Sequence, residues 1–178
     1  MIIGVEGSMG SGKTLLIVRY LLKDFSNGHK IFANFGLRKI DYEPLNVMEL
    51  MENNELQDVS VGIDEITVFL DCRKSSSKMN RYISYFILQT RKRNVNLYYT
   101  TQALSMIDKR LLEHTEFQIT CEKIYNHKQE IIPDWRHYTI FDCRDMRSIR
   151  NIKITRFNMD ISKYYDFYDT NEVILPPI

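Results

Sequence analysis

Eight consecutive residues carry the clearest chemistry in this chain: Gly7-Ser8-Met9-Gly10-Ser11-Gly12-Lys13-Thr14. They satisfy the spacing GxxxxGK[ST], follow an apolar run from Ile2 to Val5, and open a stretch with helical periodicity, the context that this motif requires. Glycines let the backbone wrap a polyphosphate, so that N–H groups and a helix N-terminus face anionic oxygens without obstruction by a Cβ. Lys13 adds a cation at the β and γ phosphates. The Thr14 hydroxyl supplies one oxygen ligand for Mg²⁺, which otherwise keeps water and phosphate around it.

A second acidic feature follows. Val59-Ser60-Val61-Gly62-Ile63 is a short apolar strand that ends in Asp64-Glu65. Ligand crevices of open α/β sheets lie at such carboxyl ends. Asp64 is placed to accept a magnesium-bound water, and Glu65 to orient and deprotonate an attacking water. The other reading is that both acids cap the next helix. Gln102, at the end of Val95 to Thr101, can hydrogen-bond the nucleophilic water or the γ-phosphate. This set suits a hydrolase better than a kinase, since neither an arginine-rich lid nor an acceptor site is visible.

The elements that must position these residues alternate. Strands are expected at Ile2–Val5, Lys30–Phe35, Val59–Ile63, Val95–Thr101 and Glu116–Tyr125. Helices are expected from Thr14 to a stop at Ser26-Asn27-Gly28, over Pro44–Gln57, Arg81–Arg93 and Ser105–His114. Strands alternating with helices indicate a mainly parallel sheet flanked by helices. Beyond Gln129 the pattern changes: residues 137–145 and 151–161 alternate as strands with no helix between, which predicts a β-hairpin extending one sheet edge, followed by a tail from Tyr164 to Ile178 that packs back. One domain is expected over 1–178, with a core of about 1–126 and a C-terminal β extension over 127–178.

The run Thr90-Arg91-Lys92-Arg93-Asn94-Val95-Asn96-Leu97-Tyr98-Tyr99-Thr100-Thr101-Gln102 resembles the segment GRxxGxxLxxxTQ of the HerA/FtsK superfamily of DNA-pumping ATPases. Arg91, Leu97 and the Thr-Gln ending match. Thr90 and Asn94 replace glycines, and Ala103-Leu104 stands where cellular members continue Arg-Pro. The size and the segment Gln102 to Arg110 look more like the viral branch, which comprises packaging ATPases of tailless viruses and zonula occludens toxin-like assembly ATPases of filamentous phages. Tyr168 to Glu172 also resembles a tail motif of viral ATPases.

The resemblance implies a RecA-like P-loop NTPase that binds ATP and Mg²⁺ and works as a homo-oligomeric ring, a hexamer or pentamer, on double-stranded DNA without regard to sequence. Arg91 would serve as an arginine finger toward the neighbouring nucleotide, with Arg93 and Arg110 in reserve; the other reading of Arg91 is a solvated helix end. Capsid or portal-vertex proteins are further implied partners, and the host cytoplasm or a procapsid vertex the implied location. A small P-loop kinase and a non-hydrolysing assembly factor are the alternatives from other classes.

Composition sets the outer limits. The 178 residues carry a formal charge of +1, with 44% hydrophobic residues and few Gly and Pro, as in a soluble globular domain. Three separated cysteines and four scattered histidines form neither a disulfide framework nor a zinc spacing. No apolar run reaches the ~18 residues of a membrane span, which leads the expectation toward genome packaging over the zonula occludens toxin type. The small net charge hides a segregation: residues 41–71 sum to −9 and residues 72–110 to +8. The basic stretch Arg73-Lys74-Ser75-Ser76-Ser77-Lys78 has the composition of a phosphate-contacting pore loop, or of a surface loop paired with the acidic segment.

Overall fold

Ile2–Glu6 form the first strand, β1, and its alternation already sorts the core into two layers: Ile3 and Val5 face one helical layer, Ile2 the other. The computed structural model describes residues 1–45, 57–68, 86–88, 90, 92–144 and 152–168. After the glycine-rich turn, α1 runs over Lys13–Ser26 and buries Leu15, Leu16, Ile17, Val18 and Leu21. It ends at Asn27, as the Ser-Asn-Gly stop requires. The strands β2 (Lys30–Ala33), β3 (Glu43–Pro44), β4 (Val59–Ile63), β5 (Asn96–Thr101), β6 (Phe117–Tyr125), β7 (Ile131–Asp142) and β8 (Lys153–Asp160) follow.

Among the described residues these strands make one sheet in the order β3-β2-β4-β5-β1-β6-β7-β8. The first six are parallel, whereas β6, β7 and β8 pair antiparallel. This is the α/β class expected from the alternating elements, with the C-terminal β-hairpin added at the β6 edge. Tyr98, Ile119, Tyr138 and Met159 pack under α1, while Leu97, Tyr99, Ile107 and Leu111 pack on the opposite face beside Phe86 and Ile87. Burial on both faces explains why the parallel strands read as nearly continuous apolar runs.

Several expected boundaries move. Pro44 does not start a helix: it lies in β3, where Leu45 N–H donates to Ala33 O at 2.8 Å. A proline without an N–H fits an edge strand and imposes extended backbone on the residue before it. The remainder of the expected 44–57 helix lies outside the described residues up to Gln57. Lys30–Phe35 ends as a strand at Ala33, because the Asn34 side chain turns away to the backbone of Asp64. The expected Ser105–His114 helix is divided into a 3-10 turn, Leu104–Met106, and a helix, Lys109–His114, started by the Asp108 carboxylate accepting from Arg110 N–H. Of the 81–93 helix, residues 86–88 and 90 are helical and 92–94 form a turn.

β7 starts six residues earlier than the alternation from 137 suggests. Asp134 has φ 61° and β6 carries an irregularity between Lys123 and Tyr125, so period-two alternation is broken at the point where Pro133 interrupts the ladder. The segment after β8 does pack back: Ser162–Phe167 form a 3-10 helix, and Tyr168 bridges to Leu37.

One polar knot joins the layers. Asp24, buried in the last turn of α1, accepts on Oδ2 from Ser60 Oγ at 2.6 Å, Asn96 Nδ2 at 2.8 Å and Tyr98 Oη at 2.6 Å. Three donors from β4 and β5 thus converge on one carboxylate oxygen. Asp24→Ala leaves all three without their acceptor, and we expect a loss of about 2–4 kcal/mol of unfolding free energy. Urea titration followed by circular dichroism measures it; a loss below about 0.5 kcal/mol would show that the knot is dispensable.

Candidate functional site

The turn between β1 and α1 owes its shape to glycine at two positions. Gly12 precedes the helix in the left-handed region, φ 89°, where a Cβ would lie 3.1 Å from both Arg136 Cγ and Tyr138 Oη. A Cβ on Gly7 would collide with the carbonyl oxygen of Cys121 and come within 2.7 Å of Ser11 Oγ. No side chain caps the helix start, and its first turn has no acidic residue. Its N-terminal amides and positive dipole end are therefore not answered by a local carboxylate.

The face of β6 and β7 supports the loop from its carbonyl side. Cys121 Sγ donates to Ser11 O at 2.6 Å, and Tyr138 Oη to Gly12 O at 3.2 Å. Planar trans peptides then turn the N–H groups of Gly12 and Lys13 to the other side. Lys13 Nζ spans the turn, donating to Gly7 O at 2.9 Å and Ser8 O at 3.1 Å. A polyphosphate would offer this ammonium and these amides stronger, anionic acceptors.

Asp64 joins the loop to the neighbouring strands. Its Oδ1 accepts from Thr14 Oγ1 at 3.0 Å and also from Thr100 Oγ1. The backbone of Asp64 is held at both groups by Asn34, Nδ2 to Asp64 O at 2.9 Å and Asp64 N–H to Oδ1 at 2.7 Å. Glu65 follows in the left-handed region, φ 49°; its N–H donates to Thr100 Oγ1 at 2.8 Å and its Oε1 accepts from Thr67 at 2.6 Å. The two acids therefore do not serve as a simple helix cap. A threonine hydroxyl and a carboxylate at hydrogen-bond distance form the hard-oxygen pair that suits Mg²⁺, an ion that takes few protein ligands.

Two hollows flank the loop. One of about 630 Å³ opens between Glu6, Gly7, Ser8, Gln102 and Lys123. The other, of about 310 Å³, is lined by Gly12, Thr14, Arg136, Tyr165 and Tyr168. The structure thus brings together Gly7 to Thr14, Asp64 and Glu65, and sets Gln102, which is exposed, at the rim of the larger hollow. Arg91 lies outside the described residues, as do residues 73–78 and the tail beyond Tyr168. Arg93 sits in the turn before β5. Arg110 forks onto Asp108, Nε to Oδ1 at 2.9 Å and Nη2 to Oδ2 at 2.7 Å, and this guanidinium holds the Asp108 carboxyl below the usual carboxylate range.

Residues that the motif reading missed are Asn34, Thr100, Thr67, Lys123 and Arg136. Thr100 lies in the Thr-Thr-Gln run just before the Thr-Gln pair that carries the resemblance, and no local signal marks it. Arg136 and Lys123 could be placed only once the antiparallel register was known.

No protein-family model matches the sequence, and no curated protein sequence matches it. Solved structures do. The N-terminal domain of zonular occludens toxin from Neisseria meningitidis is similar with a TM-score of 0.66 and 23% identity, over 94% of this chain and 98% of that one. The genome packaging NTPase from Sulfolobus turreted icosahedral virus 2, solved with ATP-gammaS, gives 0.57 and 12% over 86% and 95%. The DNA-packaging ATPase from Sulfolobus turreted icosahedral virus gives 0.55 and 13% over the same shares. The likeness is one of fold: the chain has the P-loop NTPase fold, and both groups named by the sequence resemblance are among its structural neighbours.

Burial pushes the Cys121 thiol up to about 11, so at pH 8 only about one molecule in a thousand carries a thiolate there. Alkylation of Cys121 by iodoacetamide, followed by peptide mass spectrometry, should be at least about a hundredfold slower in the folded chain than in urea. Comparable rates would show that the thiol is not held under the loop.

Proposed function

We propose that the protein is an ATP-hydrolysing DNA translocase, acting as a homo-oligomeric ring and serving as a viral genome-packaging motor. The observation that carries this reading is the continuous junction from the phosphate loop through Thr14 to Asp64, Thr100 and Glu65, on a fold shared with packaging ATPases. Lys13 would contact the β and γ phosphates. Thr14, and Asp64 through water, would hold Mg²⁺, which when bound neutralises phosphate charge. Glu65 would take the proton of the attacking water, and Gln102 would orient that water.

Assembly enters through β5. The turn carrying Arg93, and Arg91 just before it, precedes this six-residue strand, whereas Gln102 follows it. About 20 Å of extended chain separates the turn at 92–94 from Gln102, so Arg93 would serve as a finger only in a neighbour, and the resemblance assigns Arg91 the same role. A guanidinium supplied in trans makes hydrolysis conditional on the ring. The basic stretch 73–78 would contact the DNA backbone, independent of sequence. Capsid or vertex proteins would be the docking partners, and the host cytoplasm or the procapsid vertex the place of action.

A second reading, an assembly ATPase of the zonular occludens toxin type, is supported by the TM-score of 0.66 over 98% of that domain, against 0.57 for the packaging NTPase. Among the described residues no helix is long and apolar enough to cross a membrane. Copurification with capsid or vertex proteins would support packaging, and with membrane-embedded assembly proteins the second reading.

ATP turnover measured against double-stranded DNA at several salt concentrations tests the translocase. We expect stimulation at low salt that fades steeply as salt rises. Lys13→Ala should abolish turnover, and Glu65→Gln should reduce it by about 10²-fold or more while nucleotide still binds. An oligomeric preparation that hydrolyses ATP without any response to DNA overturns the DNA motor. Phosphate transfer to a soluble acceptor would indicate a kinase, and wild type without turnover an assembly factor.

A further inference from the structure

Lys123 on β6 and Arg136 on β7 are direct cross-strand partners in the antiparallel ladder. Their side chains leave the same face of the sheet. It is the face on which the next pair, Cys121 and Tyr138, supports Ser11 and Gly12. Like charges placed opposite one another destabilise a strand pair. Both residues are half-buried, which strengthens that repulsion. Among the described residues Arg136 donates to carbonyls: Trp135 O at 2.8 Å, Gly10 O at 3.4 Å and Ile132 O at 3.4 Å. Among the described residues neither cation forms an ion pair with a carboxylate. Glu6, which shares the larger hollow with Lys123, is engaged by Leu104 N–H at 3.0 Å.

Both cations converge on the loop. A Cβ on Gly10 would lie 3.6 Å from Lys123 Nζ, and Arg136 Nε reaches the carbonyl of the same residue. They nevertheless open to different flanks, Lys123 to the 630 Å³ hollow beside Gln102 and Arg136 to the 310 Å³ hollow beside Tyr165. Together with Lys13 they place three cations around one turn of backbone, an arrangement that answers a multiply charged anion and not a single carboxylate.

We propose that Lys123 and Arg136 form a clamp, supplied by the same chain, for the polyphosphate of the bound nucleoside triphosphate, Arg136 from the nucleoside side and Lys123 from the side of the terminal phosphate. The clamp rests on the reading of the loop as a nucleotide site. The hairpin already rests on the loop through Cys121 and Tyr138; the anion offsets the repulsion between the two cations on that face and so strengthens the contact. The C-terminal β extension is then part of the nucleotide site.

The test uses the full chain, with Lys123→Gln, Arg136→Gln and Lys123→Arg variants, and measures affinity for a fluorescent ATP analogue and for inorganic tripolyphosphate alongside ligand-free melting temperature. Each glutamine variant should weaken both ligands by roughly tenfold or more, while its ligand-free melting temperature stays level or rises. Lys123→Arg should keep wild-type affinity. Unchanged affinity with a lowered melting temperature would overturn the clamp and leave the pair as a mere prop for the loop; unchanged values of both would overturn it equally. Failure of the wild type to bind either probe would instead overturn the nucleotide reading itself.

Discussion

One oxygen of Asp64 governs the geometry of the site. Thr14 reaches it from the start of α1 and Thr100 from the end of β5, so the loop and two adjacent parallel strands are referred to a single atom. Thr100 is used twice, because the same hydroxyl oxygen accepts the Glu65 N–H. That bond helps a non-glycine residue remain in left-handed backbone, which costs on the order of 1 kcal/mol or more. Asn34, just after β2, grips the Asp64 backbone. If the carboxylate moved, the turn holding Lys13, the conformation of Glu65 and the end of β5 would all lose their common reference.

The loop also needs its second support. β6 supplies a thiol donor to the Ser11 carbonyl, and β7 adds a phenol to the Gly12 carbonyl, which also accepts Leu16 N–H within α1 at 3.1 Å. Burial disfavours ionisation of both groups and pushes it to higher pH, so each stays protonated and remains a donor. The antiparallel addition at the sheet edge is thus joined to the glycine-rich turn by bonds that only a protonated hairpin face can make.

What could be read in the sequence follows from which forces are local. The loop, Asp64-Glu65 and the Val59–Ile63 strand were legible because a run of glycines or a buried parallel strand leaves a contiguous signature. Gln102 was legible as the polar end of an apolar strand. The partners of these residues were not. Thr100 becomes meaningful only when β5 lies beside β4, Asn34 only when the end of β2 is brought to Asp64, and Arg136 only in register with Lys123. Pro44 fits a helix start by local rules but lies on an edge strand that only the sheet reveals, and residues 131–136 carry no strand alternation because a bulge and a positive φ break it.

The strand β5 has mechanical implications of its own. It is paired on both sides, to β4 and to β1, and all but its first residue are buried. Such a strand cannot stretch or slide without breaking two ladders together, so it behaves as a stiff strut between the turn at 92–94 and the rim at Gln102. The two ends of the strand are therefore held at a fixed separation by the ladders on both sides. The stiffness lies in the paired ladders, and the turn at 92–94 and the rim at Gln102 are the places where β5 meets less constrained backbone.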